Sequence, residues 1–293
     1  MMMKRLVIVL VVLAAVAAGA GIWWSRMETG KTEGSGVRVA VSFYPLEFLA
    51  GEIGGDKVNV TNLTPAGAEP HDWEPTTADA AVIEKSQLLL VNGGGLEAWA
   101  GKVTANKIMA VGESLFDGND PHIWLDPVLM QTMADKITTA LTETDPQNKD
   151  MYEANNSDLQ SRLAQLDEEY RTGLKNCAQK NIVTSHAAFG YLAKRYRLTQ
   201  TAISGVSPDE EPTAQKLAQT ATLVKSLGIK YIFFETLVSP RLAETLAQET
   251  GAQTLVFNPL EGLTEEQQAV GQDYFSIMRE NLVNLKTALQ CQS

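Results

Sequence analysis

Histidine and cysteine are scarce in this chain: 293 residues contain three of the first and two of the second. Cys177 and Cys291 are too few for a disulfide framework and too far apart for a zinc knuckle. No cysteine follows the apolar run at the N-terminus, so the lipid-modified cysteine that tethers many exported binding proteins has no place there. There is no H-E-x-x-H helix and no Ser or Cys nucleophile elbow, which removes the commonest signatures of metal-dependent and covalent hydrolysis. Internal repeats and low-complexity tracts are also missing, so solenoid architectures are excluded. Basic residues are outnumbered, 24 against 35 acidic ones, which excludes nucleic acid as a partner. A surplus of carboxylates attracts cations only diffusely, and a soluble acidic surface accounts for it.

What is present begins with an export signal. Lys4 and Arg5 precede an apolar run from Leu6 through Trp24. Ala18-Gly19-Ala20 offers a cleavage site, yet Ile22-Trp23-Trp24 continues the run, and a Trp pair ahead of Arg26 reads as an outer interfacial belt. The expectation is a membrane anchor over residues 1–26 that is retained, with secretion after signal cleavage as the alternative. Residues 27–36 are polar and Gly-containing, as a flexible tether would be. In that oxidising, extracytoplasmic compartment, Cys177 and Cys291 are expected to form one disulfide.

From Val37 onward, short β-branched runs alternate with helical stretches. VRVAVSF, KVNVTNL, LLLVNGG and KIMAV are separated by YPLEFLAGEIGG, TTADAAVIEKSQ and GLEAWAGKV. A second series runs through NIVTSH, LTQTAIS, YIFFE and TLVFNP, with helices between. Alternation of this kind predicts parallel βαβ units. The fold class is therefore α/β: two small, mostly parallel lobes, residues 37–145 and 177–293, joined by one long backbone helix over residues 146–176. Leu159, Leu163, Leu166 and Tyr170 recur there at 3-4 spacing. Two helices broken near Asn155-Asn156 are the alternative. Thr264 to Leu289 reads as one closing helix.

The three histidines carry the chemistry. His71 lies in the Pro-bracketed acidic loop GAEPHDWEP, His122 in DPHIWLDP, and His186 at the end of the strand NIVTSH. In open α/β sheets the carboxyl ends of strands form the ligand crevice, so His186 is delivered by its strand and the others by constrained loops. A lone histidine is usually a surface or satisfied core residue. All three in such contexts point instead to a divalent-metal site. Asp72 and Asp126 lie close enough in sequence to be candidates for orienting the imidazoles.

The segments EPHDWEPT, DPHIWLDP, TSHAAFGYLAKRY, SGVSPDEEPTAQ, FFETLVSPRLAETLAQETG and FNPLEGLTEEQ occur in an order that resembles the zinc- and manganese-specific solute-binding proteins of ABC importers. The likeness runs over essentially all of Val37 to Leu289 and is greatest for the zinc-binding branch. This resemblance implies two α/β lobes on a backbone helix with the metal site in the cleft between them, a membrane permease as partner, a monomeric carrier, and His71, His122 and His186 as ligands. Manganese-binding relatives usually carry a carboxylate at the third position, so His186 favours zinc over manganese. Many zinc-binding relatives also have a His- and acid-rich loop before the second ligand motif. Only ESLFDGND stands there, so any scavenging role of that loop is absent.

For the fourth ligand the candidates are Glu69, Glu235, Asn258 and Glu261. Pro70 holds Glu69 away from His71, Glu235 could instead anchor a helix N-terminus, and a neutral amide is a poor zinc ligand. Glu261 follows the strand TLVFNP at the same carboxyl edge as His186, and the relatives place a carboxylate there. Glu261 is the choice, with water as the fallback. Two rival functions remain: a zinc-dependent hydrolase, if the fourth position is open, and an adhesion module with a structural metal. Protons are expected to compete for the imidazoles below about pH 6.

Overall fold

The computed structural model describes residues 36–292. The expected anchor and almost all of the tether lie outside the described residues. Among those described, no helix is long and apolar enough to cross a membrane.

The valine- and leucine-rich runs become strands β1 (Val37–Val41), β2 (Val58–Asn62), β3 (Leu88–Val91) and β4 (Ile108–Ala110), which pair in parallel in the order β2-β1-β3-β4. Alternate side chains serve two cores. Val39, Val41, Leu88 and Leu90 face one cluster, while Ala40, Leu89 and Val91 face another with Ile83 and Trp99. Burial on both faces is the reason the central strands β1 and β3 are nearly all apolar, whereas the edge strand β2 carries Asn59, Thr61 and Asn62. Helix α1 (Tyr44–Gly54) packs on the first face, and α2 (Thr77–Lys85), opened by a Thr76/Asp79 capping box, on the second.

GLEAWAGKV does not form the expected helix; it makes turns and a short 3-10 segment, Ala100–Lys102. Gly93, Gly94 and Gly95 all take positive φ, and the buried Glu97 carboxylate turns back to accept the Asn92 and Gly93 N–H groups and the Ser42 hydroxyl. A carboxylate spent on closing a loop overrides helix propensity.

After α3 (Pro127–Thr144), the connecting helix α4 runs unbroken over Lys149–Gly173. The Asn155-Asn156 pair does not interrupt it, because both side chains bond outward, Asn155 to the Ile53 carbonyl and Asn156 to Asp135. Tyr152, Leu159, Leu163, Leu166 and Tyr170 form its buried stripe.

The second half builds β5 (Asn181–Thr184), α5 (Gly190–Tyr196), β6 (Thr199–Ala202), α6 (Ala214–Leu227), β7 (Tyr231–Phe234), α7 (Arg241–Thr250) and β8 (Gln253–Val256). β5 pairs in parallel with β6, and β7 with β8. The Ser185 hydroxyl donates to the Phe233 carbonyl, which sets the end of β5 beside β7. The predicted closing helix is two: α8 (Glu265–Ala269) and α9 (Tyr274–Ala288). Gly271 at φ 72° and separate capping boxes at Thr264 and Asp273 divide them.

One large core joins both halves: Phe48 on α1 stacks on Tyr274 of α9 at 5.3 Å, and Tyr170 of α4 donates its hydroxyl to the Met278 carbonyl. The expected disulfide is present. Cys177–Cys291 closes a separation of 114 residues, fastening the chain after α9 to the chain after α4.

Candidate metal centre

Each of the three histidines is held by backbone that the sequence constrains locally. His71 sits in the loop between β2 and α2, where its N–H donates to Glu69 and neighbouring Trp73 packs edge-on against Trp99. His122, fully buried, precedes the short 3-10 turn Ile123–Leu125, itself stopped by Pro127 at the start of α3. His186, also fully buried, lies two residues past the end of β5.

Glu261, like His186, comes from the second half; it lies on the chain that follows β8. Asn258 and Asn281 exchange hydrogen bonds, the Asn258 side chain accepts the Leu260 N–H, and Leu260 adopts φ 58°, so the chain turns sharply and drives the next side chain inward. A branched side chain in that backbone region is strained, and the two asparagines hold it there.

These four side chains converge. The Nε2 of His122 lies 3.2 Å from that of His71 and 3.3 Å from that of His186, while Glu261 Oε1 is 3.0, 3.4 and 3.3 Å from His122, His71 and His186. A zinc ion bound tetrahedrally at roughly 2.0–2.1 Å from each donor sets ligand–ligand edges at about 3.3 Å. The observed spacings match that tetrahedron. Among the described residues this is the one group of His, Cys, Asp and Glu side chains that could hold a metal ion.

Carboxylates orient two of the imidazoles from behind. Asp120 Oδ1 accepts both the backbone N–H and the Nδ1–H of His122, at 3.0 and 2.7 Å. Glu235 does the same for His186, at 3.1 and 2.6 Å. A carboxylate can only accept, so Nδ1 carries a proton, and Nε2 is the atom left to offer its lone pair to a metal once the proton it shares with Glu261 is displaced.

Asp72 and Asp126, the candidates for this role from the sequence, do not fill it. Asp126 caps α3 by accepting the Val128 N–H and lies beside Arg195. Asp72 is exposed, and its carboxyl meets that of Asp209, which pushes its pKa up. Glu235, weighed as a ligand or helix anchor, is neither. Asn258 is a turn residue. Asp120 was missed, although an Asp two residues before a His, with Pro between, is a readable signal for a carboxylate that folds back onto the next turn.

The buried charges set the site's electrostatics. Burial alone would raise the Glu261 carboxyl, but the His186 charge and hydrogen bonds from the imidazoles hold it well below the usual carboxylate range. Burial alone would lower His186, but Glu261 and Glu235 overcome it and raise its pKa to about 11. His122 is raised as well, against its burial, by Asp120 and Glu261. Glu69 is pushed up to about 9 by burial and by Glu261, and its second oxygen is buried without a hydrogen-bond partner. Without metal, the cluster therefore stores protons on imidazole that an incoming cation must displace.

Residues 39–288 match the family described as "Zinc-uptake complex component A periplasmic". The chain is 38% identical over 297 aligned residues to the high-affinity zinc uptake system protein ZnuA of Bacillus subtilis strain 168, covering 92% of each. It is likewise 38% identical over 276 residues to the zinc-binding lipoprotein AdcA of Streptococcus pneumoniae strain R6, covering 85% of this chain and 55% of that longer protein. Its structure is similar to that of the Zn(II)-bound ZnuA-like domain of Streptococcus pneumoniae AdcA, with a TM-score of 0.77 at 37% identity, covering 87% of this chain and 99% of that one. A shared fold, at these identities and over this length, makes the chain a member of the ZnuA family of zinc-uptake proteins.

Proposed function

We propose that this protein is an extracytoplasmic zinc carrier: it captures Zn²⁺ through His71, His122, His186 and Glu261 and delivers it to the membrane permease of an ABC importer. The observation that carries this reading is the set of donor spacings, 3.0–3.4 Å around a common centre, which fits tetrahedral zinc. One carboxylate among three neutral imidazoles leaves the loaded site at net +1, better tolerated in a buried site than +2. The same set undersupplies oxygen for manganese. Copper would bind at least as tightly, so selectivity rests on availability and geometry.

With Glu261 in the fourth position the shell is closed, which favours transport over zinc-dependent hydrolysis. The zinc is cargo, loaded and released by a chain that stays folded without it. The family's periplasmic description and the lipoprotein relative support an extracytoplasmic location, and the apolar run from Leu6 to Trp24 stands where a tether is needed. We further assign residues 37–145 and 177–293 to two lobes that act as a monomer, with residues 146–176 between them.

Elemental analysis and calorimetry on the purified chain test the assignment. One zinc per chain is expected, and none for the His122→Ala, His186→Ala double variant. An unchanged stoichiometry in that variant rules out these ligands.

A further inference from the structure

His122 is oriented by Asp120, and Asp120 stands in a segment, residues 112–121, with no regular secondary structure apart from turns. Gly118 and Ser114 there have positive φ, and much of the segment is exposed. From the first half, the Asn92 side-chain amide donates to the Pro121 carbonyl. Also from the first half, the Gly112 N–H donates to the Asn92 carbonyl and Lys136 of α3 donates to the Glu113 carbonyl. Around Asp117 and Asp120 the anchors come from the second half, through α5. The Tyr191 hydroxyl donates to the Asp120 carbonyl at 2.9 Å and accepts the Asp117 N–H at 2.7 Å, so one hydroxyl bridges two peptide groups of the segment. One residue earlier, the Gly190 backbone lies so close to Asp120 that a Cβ there would stand 2.6 Å from Asp120 Oδ2. Lys194 adds an exposed ion pair to Asp117.

We infer that Tyr191, seated against the first half by the close approach at Gly190, is a positioning residue for zinc: it holds Asp120 where that carboxylate fixes the tautomer and direction of the His122 ring. This rests on the assignment of His122 as a ligand. The chain of contacts runs from Tyr191 Oη to the Asp120 backbone, from Asp120 Oδ1 to His122 Nδ1, and from His122 Nε2 to the centre. A ligand carried by the first half is thus aimed by a side chain of the second, so the affinity of the site depends on α5 being docked on the 112–121 segment. Tyr191 is itself mostly buried, and removal of its hydroxyl changes no packing volume of consequence.

The test is a double-mutant cycle on the full-length chain, read by zinc competition titration with circular dichroism as the check on folding. Tyr191→Phe is expected to weaken zinc binding about fivefold to tenfold, and Asp120→Ala about tenfold to a hundredfold, the scale for lost supporting groups at metal sites. The double variant is expected to be no weaker than Asp120→Ala alone. Combined with Glu235→Gln, which disturbs His186, the Tyr191→Phe loss should instead multiply in full. In the cobalt-loaded protein, Tyr191→Phe should shift the visible ligand-field bands in the same direction as Asp120→Ala, a signature that general destabilisation does not produce.

If Tyr191→Phe binds zinc like the parent, or if its loss multiplies fully with that of Asp120→Ala, the inference is overturned while the zinc assignment stands. A parent chain that holds no zinc overturns both. Should Tyr191→Phe fail to fold, Gly190→Ala provides the second reading: it keeps the hydroxyl but pushes Asp120, and unchanged zinc affinity in that variant also refutes the positioning role.

Discussion

Glu261→Gln exchanges one oxygen for an amide in a side chain that is 1% exposed and surrounded by three imidazole nitrogens at 3.0–3.4 Å. Shape is conserved, so the fold should survive; charge is not. The loaded site goes from net +1 to net +2, which costs affinity. Two effects oppose each other in the measurement. Loss of the carboxylate removes the anionic ligand, on a scale of about ten- to a hundredfold, or about 1.4–2.7 kcal/mol. It also removes the group that raises His186 to about 11, so zinc then displaces a more weakly held proton. Each pKa unit returned to the imidazole gives back about 1.4 kcal/mol wherever that group is protonated. The net loss at pH 7 should therefore fall below that tenfold-to-hundredfold scale, and approach it more closely at pH 9, where less proton competition is left to relieve. Competition against a chromophoric chelator at both pH values measures it. A Glu261→Gln variant that binds like the parent, alongside a Glu69→Gln variant that does not, would transfer the fourth ligand to the first half and refute the reasoning.

Proton release is the second expectation. Because the metal-free His186 and His122 have raised pKa values, their contribution to apo stability is complete below the ordinary histidine range and fades as pH rises through the raised values; zinc affinity moves the opposite way, climbing with pH throughout the neutral range. Calorimetry in buffers of different ionisation enthalpy should count about one proton or more released per zinc at pH 7, and a count of zero would contradict the electrostatics. The competition threshold near pH 6 expected from an ordinary imidazole is thereby shifted upward. For the disulfide, replacing Cys177 and Cys291 together by Ser should lower the unfolding free energy by about 3–5 kcal/mol, given the long loop it closes, and leave zinc stoichiometry at one. Unchanged denaturation midpoints would show that the bond does not constrain the chain.

Local pattern carried most of the architecture. The β-branched runs, the 3-4 stripe on α4 and the strand-end position of His186 are all set by near neighbours, and they appear where the sequence placed them. The exceptions have local causes with nonlocal reach: Glu97 spends its carboxylate on backbone N–H groups of the Asn92–Gly93 turn and on Ser42, just past β1, and so removes a helix. The three converging histidines were likewise legible, because so few are present and each stands in a constrained context, while the choice of Glu261 leaned on the family resemblance. Which carboxylate serves which imidazole was not. Asp72 and Asp126 are adjacent in sequence to histidine motifs yet point elsewhere, whereas Glu235 reaches His186 across 49 residues and Glu261 reaches His122 across 139. Those pairings depend on where parallel strands end beside one another and on the turn that Asn258, Asn281 and Leu260 impose, and the strength of a buried charge pair is set by distance and dehydration, which only the folded chain defines.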